Sequence, residues 1–259
     1  MRLIIKIGTS SLLTESGHIN GVKLKQFADG IKMLHREGHS LALVTSGAVG
    51  AGMSVVHSSF STVSQRRALA AIGQAALIES YRTALSPLSV AQILVTAQDF
   101  NRAPQEMHLR STLTQLWEWR SIPLINENDV TTTGESCIGD NDTVAAKIAV
   151  LMEADQLVIL SDVDGLYTAN PKESHTAERI AQVTWVHPDD IHRYGSGTPG
   201  PLGSGGMATK LAAARITQEA GVEMLLMSSH EPNLWENLAS QSYETGTRFL
   251  ARKEAAHNA

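Results

Sequence analysis

The chain has 259 residues, of which 42% are hydrophobic, and a formal net charge of -5. These values describe a globular protein and exclude a disordered or fibrous one; without a basic excess there is no electrostatic reason to expect nucleic acid or anionic lipid as a partner. The single cysteine, Cys137, excludes an internal disulfide and a cysteine-rich zinc site and fits a reducing, cytoplasmic setting. It is expected to be an ordinary loop thiol.

At this length one domain is the default. In chain order, "RLIIKIG" reads as the first strand, with Lys6 and Gly8 interrupting the apolar run before a signal-peptide core could form. No stretch approaches the roughly 18 apolar residues of a membrane span. A helix is expected near 20–36, then the strand "SLALVTSG", a helix near 63–86, the strand "VAQILVT", a helix near 105–120 and the strand "IPLIN". After the polar stretch "INENDVTTTGESCIGDND" come a helix near 141–153, the strand "QLVILSD", a long excursion or lid over 170–201, a helix near 207–220 and the strand "EMLLMSS". The residues 253–259 read as a frayed tail. Each strand segment is nearly continuous in apolar residues instead of alternating, as strands covered on both faces are. The rhythm predicts an α/β fold with a mainly parallel sheet.

In such sheets ligands gather where strands end and helices begin. "KIGTSS" and "VTSGAVGAG" end strands in small residues, whose N–H groups suit an anion, though tight turns and close packing would select the same residues. "GSGGMATKLAAARI" places a glycine loop before Lys210 without matching the GxxxxGK[ST] spacing of a Walker loop. A lysine one turn into a helix opposes the dipole at that end, a small penalty that an anion would offset. Lys6 sits in an apolar strand, where it either emerges at a site or reaches past an edge to water. The acids and amides of 125–142 suit a metal, a cationic or zwitterionic ligand, or a solvated loop. A helix cap at Asp140 or Asn141 and an exposed Glu127 would explain part of them.

Taken together, "IIKIGTSSL", "VTSGAVGAG", "PLINENDV", "GDNDTVAAKIA", "LSDVDGLYTANP" and "GSGGMATKLAAA", in this order and spacing, resemble the amino acid kinase family over essentially the whole chain. The resemblance implies an α/β/α sandwich over 1–252 that transfers the γ-phosphoryl group of ATP to the side-chain carboxylate of free L-glutamate. Many family members carry a further C-terminal PUA domain, which is not expected here. By resemblance, Lys6 and Lys210 neutralise the phosphoryl group, Gly8 and Gly47 offer backbone donors, and Asp142 orients the lysines. Nucleotide binding falls to Lys6, Ser161, Asp162 and the loop Ser204, Gly205, Gly206, Met207, Ala208, Thr209 and Lys210. Acceptor binding falls to Ser46, Asp129 and Asn141, with Asn126 and Asp140 close by. Magnesium would travel with ATP instead of occupying a protein cage. The same resemblance implies proline as feedback inhibitor, a homo-oligomer, and hand-over of product to glutamyl phosphate reductase. The alternatives are an N-acetylglutamate, carbamate, uridylate or aspartate acceptor, or a silent nucleotide-binding regulator.

Overall fold

The structure, a computed structural model, describes residues 1–132, 137–171, 173–174, 176–194 and 206–252. Its strands are β1 (Arg2–Ile7), β2 (Ser40–Thr45), β3 (Val90–Val95), β4 (Ile122–Glu127), β5 (Gln156–Ser161), β6 (Leu166–Tyr167), β7 (Arg179–Ile180), β8 (Gln182–Val183), β9 (Glu223–Ser228) and β10 (Thr247–Phe249). Its helices are α1 (Thr9–Leu12), α2 (Gly21–Arg36), α3 (Ala48–Val56), α4 (Val63–Leu85), α5 (Gln98–Asn101), α6 (Ala103–Glu118), α7 (Asn141–Leu151), α8 (Pro188–Tyr194), α9 (Met207–Glu219) and α10 (Leu234–Ser240).

Among the described residues the main sheet runs in the order β3-β4-β2-β1-β5-β9-β10-β8. The six strands from β3 to β9 are mutually parallel, while β10 pairs antiparallel with β9 and carries β8 beside it. The chain builds outward from β1 in one direction, then returns to β5 on its other side. Loops after β1, β2, β4 and β5 therefore flank the point where strand order reverses, where a crevice opens in sheets of this kind.

Two apolar layers sandwich the sheet. Leu3, Ile5, Ile7, Leu43, Leu124 and Leu160 pack against α2, α4 and α10. Ile4, Val44, Ile125, Ile159 and Leu226 face α7 and α9, whose Val144, Ile148, Leu211 and Ala214 are fully buried. Side chains alternate along a strand, so Lys6 shares the α7 and α9 face with Ile4, between Val44 and Ile159 of the neighbouring strands. A one-residue slip would have put it among the leucines of the other layer.

Helix starts follow their caps. Asn20 accepts from the Lys23 N–H to open α2, and Thr62 and Gln65 bond each other's backbone N–H to open α4. The expected strands and long helices occupy their segments, and the shorter α1, α3, α5 and α10 lie outside the helix ranges given above. The described part of 170–201, expected as an excursion, supplies β7, which pairs with β6 just before it, the edge strand β8 and α8, which packs Ile191 and Tyr194 onto the core. No helix among the described residues is long and apolar enough to cross a membrane.

The small residues of "VTSGAVGAG" divide between two tasks. Gly47 caps α3 with φ of 100°, a left-handed conformation that favours glycine. The others let α3 and α4 touch backbone to backbone: a Cβ at Gly73 of α4 would run into the carbonyl oxygen of Ala48 and the nitrogen of Gly52.

Candidate active site

Lys6 and Lys210 are 6% and 7% exposed and meet on one buried carboxylate. The Lys6 Nζ lies 2.8 Å from Asp142 Oδ1, and the Lys210 Nζ lies 3.3 Å from Oδ2. Thr209 Oγ also reaches Oδ2 at 2.7 Å and the Gly206 carbonyl at 2.8 Å, its one proton serving either, while it accepts the Gly206 N–H at 3.1 Å. Burial alone would raise the Asp142 pKa, but the two ammonium groups, with hydrogen bonds from Lys6 and Thr209, outweigh it and hold the group at about 2.

The trio comes from three places in the chain. Lys6 is on β1, Asp142 in the first turn of α7 and Lys210 in the first turns of α9, so α7 and α9 bring their N-termini to the same sheet edge. Asp142 suits that position, because the helix dipole favours an acid there; Lys210 does not, and its retention at a helix start leaves cationic charge aimed at the site. A Cβ on Gly8 would sit 3.6 Å from the Lys6 Nζ, which places Gly8 against the same centre. The Gly8 N–H itself donates to the Leu160 carbonyl at 3.3 Å, extending the ladder between β1 and β5.

Beside the trio, the polar stretch is built into the fold. Asp140 caps α7, accepting from Thr143 N at 2.8 Å and Thr143 Oγ at 2.9 Å. Burial raises its pKa in spite of those bonds. Asn141 donates to Ser46 Oγ at 3.1 Å and accepts the Glu127 N–H at 3.3 Å, tying the ends of β2 and β4 to α7. Glu127 is 7% exposed, not the solvated acid that the sequence suggested. Its carboxylate accepts from Ile138 N at 2.6 Å and Gly139 N at 3.3 Å, holding the approach to α7. Cys137 lies next to this carboxylate; partial burial, then Glu127, raises its pKa and leaves it a poor nucleophile.

No hydrogen bond among the described residues joins the Asp129 side chain to Ser46 or Asn141. The partner of Asp129 is Arg66, at 3.4 Å, on the surface of α4. Burial pushes its pKa up, Arg66 opposes that, and Glu127 adds to it. Asp129 and Glu127 line a cavity of about 280 Å³ with Asn128, Ala48 and Gln74. Asn126 donates to Gln74 Oε1 at 2.9 Å on the α4 face of the sheet. Neither Gln74 nor the anchoring role of Glu127 was anticipated. "AAIGQAAL" reads as a helix with one polar residue, and only the glycine contact that draws α3 onto α4 buries it. The alanines and glycine beside Gln74 were the available signal.

On the other side, Ser161 is two residues past Ile159, the β5 partner of Lys6, and so shares its face. Its hydroxyl donates to Asp162 at 3.1 Å. No hydrogen bond among the described residues joins this pair to the lysines. Met207 and Ala208 occupy the first turn of α9, with Met207 packed against the core. Ser204 and Gly205, like the tail from 253, lie outside the described residues.

The arrangement can take a polyanion at the lysines and a small polar molecule in the cavity. The chain is 40% identical to a glutamate 5-kinase of Symbiobacterium thermophilum over 96% of its own length and 95% of that protein's. It is 38% identical to a glutamate 5-kinase of Streptococcus suis, over 98% and 71% of the two lengths. In fold it is similar to a carbamate kinase from Giardia lamblia, with a TM-score of 0.68 at 15% identity over 97% and 98% of the chains. It is also similar to a UMP kinase from Bacillus anthracis, with 0.65 at 14% identity over 95% and 94%. The sequence pattern of the amino acid kinase family matches residues 1–228, and the chain belongs to the amino acid kinase family.

Proposed function

We propose that this protein transfers the γ-phosphoryl group of ATP to the side-chain carboxylate of L-glutamate, giving γ-glutamyl phosphate and ADP. The observation that carries the reading is one sheet edge holding both a buried lysine pair on a single carboxylate and a cavity walled by acid and amide groups. Two ammonium groups against one carboxylate leave the trio with one positive charge, which fits phosphate oxygens.

A γ-carboxylate is already ionised at neutral pH, so the reaction needs no general base. One of its oxygens forms the new bond to phosphorus while the bond to the bridging oxygen breaks, and that electron pair leaves with ADP. Lys6 and Lys210 hold the equatorial charge in flight, and Asp142 and Thr209 keep both lysines extended toward it. Magnesium, arriving on the nucleotide, would add positive charge between the outer phosphates. Asp129 receives the substrate ammonium, with Ser46 and Asn141 bracing the wall between acceptor and lysines. Ser161, Asp162 and the start of α9 would contact the nucleotide.

Proline, sharing the ammonium and carboxylate of glutamate, would compete for the cavity. The acyl phosphate product is labile in water, which favours a cytoplasmic homo-oligomer that hands it to a reductase. A hydroxamate-trapping assay with ATP and glutamate, N-acetylglutamate, aspartate, carbamate or UMP tests the central proposal. Glutamate is expected to be the strong acceptor. Preference for any other, or no transfer at all, would overturn it.

A further inference from the structure

Gln74 lies in α4 at 8% exposure, and its side-chain Nε2 has no hydrogen-bond partner among the described residues. Which end of this amide is left without a partner is decided by the backbone. The Glu127 N–H can only donate, and it bonds Asn126 Oδ1 at 2.9 Å. Asn126 must then present Nδ2 to Gln74, whose Oε1 accepts it at 2.9 Å. The chain of dipoles runs one way and ends on an NH₂ group carrying two donors. Buried donors are nearly always paired in native proteins, so one left open calls for an acceptor brought by a ligand.

The cavity that Gln74 lines, about 280 Å³, is near the small end of ligand pockets, which run from ~300 Å³ upward. Of its two carboxylates, Glu127 is spent on the backbone of Ile138 and Gly139. Asp129 has one long contact, to the half-exposed Arg66. The walls thus offer one acid for a cation and, beside the amides of Asn128 and the exposed Gln92, a buried amide donor at Gln74 for an anion. Asn126 is on β4, two strands from β1 and Lys6. At about 4.8 Å per strand the two strands are roughly 10 Å apart, and because Asn126 and Lys6 lie on opposite faces of the sheet, an acceptor reaching from one to the other passes over the strand ends.

Resting on the function proposed above, we propose that Gln74 is a specificity-determining residue that donates to the α-carboxylate of the amino-acid acceptor. Asp129 takes the ammonium beside it, and the γ-carboxylate is left to face the lysines.

The test exchanges donor and acceptor across this contact. In the parent, kcat/KM for glutamate should exceed that for isoglutamine, whose α-carboxylate is an amide, by at least about tenfold. Gln74→Glu still accepts from Asn126 but turns an acceptor to the ligand, so the ratio should fall by at least about tenfold or invert. Gln74→Met keeps the helix and the volume. It should raise the glutamate KM about tenfold or more, with kcat and the ATP KM within about threefold, and it carries the test if Gln74→Glu does not fold. A parent that phosphorylates glutamate, with a preference unmoved by Gln74→Glu or a KM unmoved by Gln74→Met, overturns the role of Gln74 alone. A parent inactive toward glutamate overturns the proposed reaction and this inference with it.

Discussion

The two ends of the site are in opposite electrostatic conditions. At the lysine end every charge is buried and paired: Asp142 is 1% exposed, holds Lys6 and Lys210 and accepts from Thr209. At the acceptor end Asp129 is only partly desolvated, has a raised pKa and a single long ion pair, and Gln74 shows an unpaired donor. The first end is finished before substrate arrives, so cationic groups are in position as charge develops and little reorganisation is needed. The second is completed by its ligand, and that is how a small cavity distinguishes one amino acid from another.

The comparison breaks most severely at Asp142. Asp142→Asn leaves two buried ammonium groups without a counter-ion, and denaturant unfolding at neutral pH should show a loss of about 3 to 5 kcal/mol. A loss under about 1 kcal/mol would mean that the trio is well solvated. Next come Lys6→Ala and Lys210→Ala, each expected to lower kcat at least ~100-fold, near 3 kcal/mol of transition-state stabilisation. The glutamate KM should move only a few-fold. Near-normal turnover in either variant would assign that lysine to structure.

At the acceptor end, Asp129→Asn should weaken glutamate by ~1.5 to 3 kcal/mol, the value of a hydrogen bond to a charged partner, and leave the ATP KM nearly intact. The parent should discriminate against N-acetylglutamate, which has no ammonium, by about tenfold or more. Since burial, against Arg66 and with Glu127, raises the Asp129 pKa, the acid limb of kcat/KM for glutamate should lie above the ordinary value of an aspartate. In Asp129→Asn that limb should vanish. A limb unchanged by the substitution belongs to another group.

The smallest effect is one of linkage. Asp142 titrates at about 2 when folded, below its ordinary value near 3.8. Its stabilisation is therefore complete above about pH 4 and is lost as pH falls through about 2, on the order of 2 kcal/mol in all. The stability gap between parent and Asp142→Asn should narrow across that window. A constant gap would show that the lysines do not set the Asp142 pKa.

Several of these features were legible in the chain itself. Continuous apolar runs of strand length, with helical stretches between them, announced a parallel α/β sheet because a strand covered on both faces must be apolar on both. Lys6 and Lys210 announced themselves by breaking a local rule, one as a charge inside an apolar strand and the other as a cation at a helix start. Such violations persist where function offsets them. The helix cap read at Asp140 or Asn141 was local in the same way, and the structure has it at Asp140.

What tertiary structure alone decided involves residues that are ordinary in their own neighbourhood. Glu127 looks like a solvated loop acid until the chain returns and its carboxylate meets the N–H groups of Ile138 and Gly139. Gln74 looks like the wet side of an alanine-rich helix until the contact of Gly73 with α3 closes over it and Asn126, across 52 residues, takes its oxygen and leaves the buried amide nitrogen without a partner. The strands β8 and β10 have only two and three residues, too few to show a period, and exist because the edge of β9 offered β10 a partner and β10 in turn offered one to β8. Strand runs, caps and misplaced charges act within one turn or one strand, so the sequence by itself determined them. Burial and the direction of a hydrogen-bond chain depend on residues far away in the sequence, and they come into being only when the fold closes.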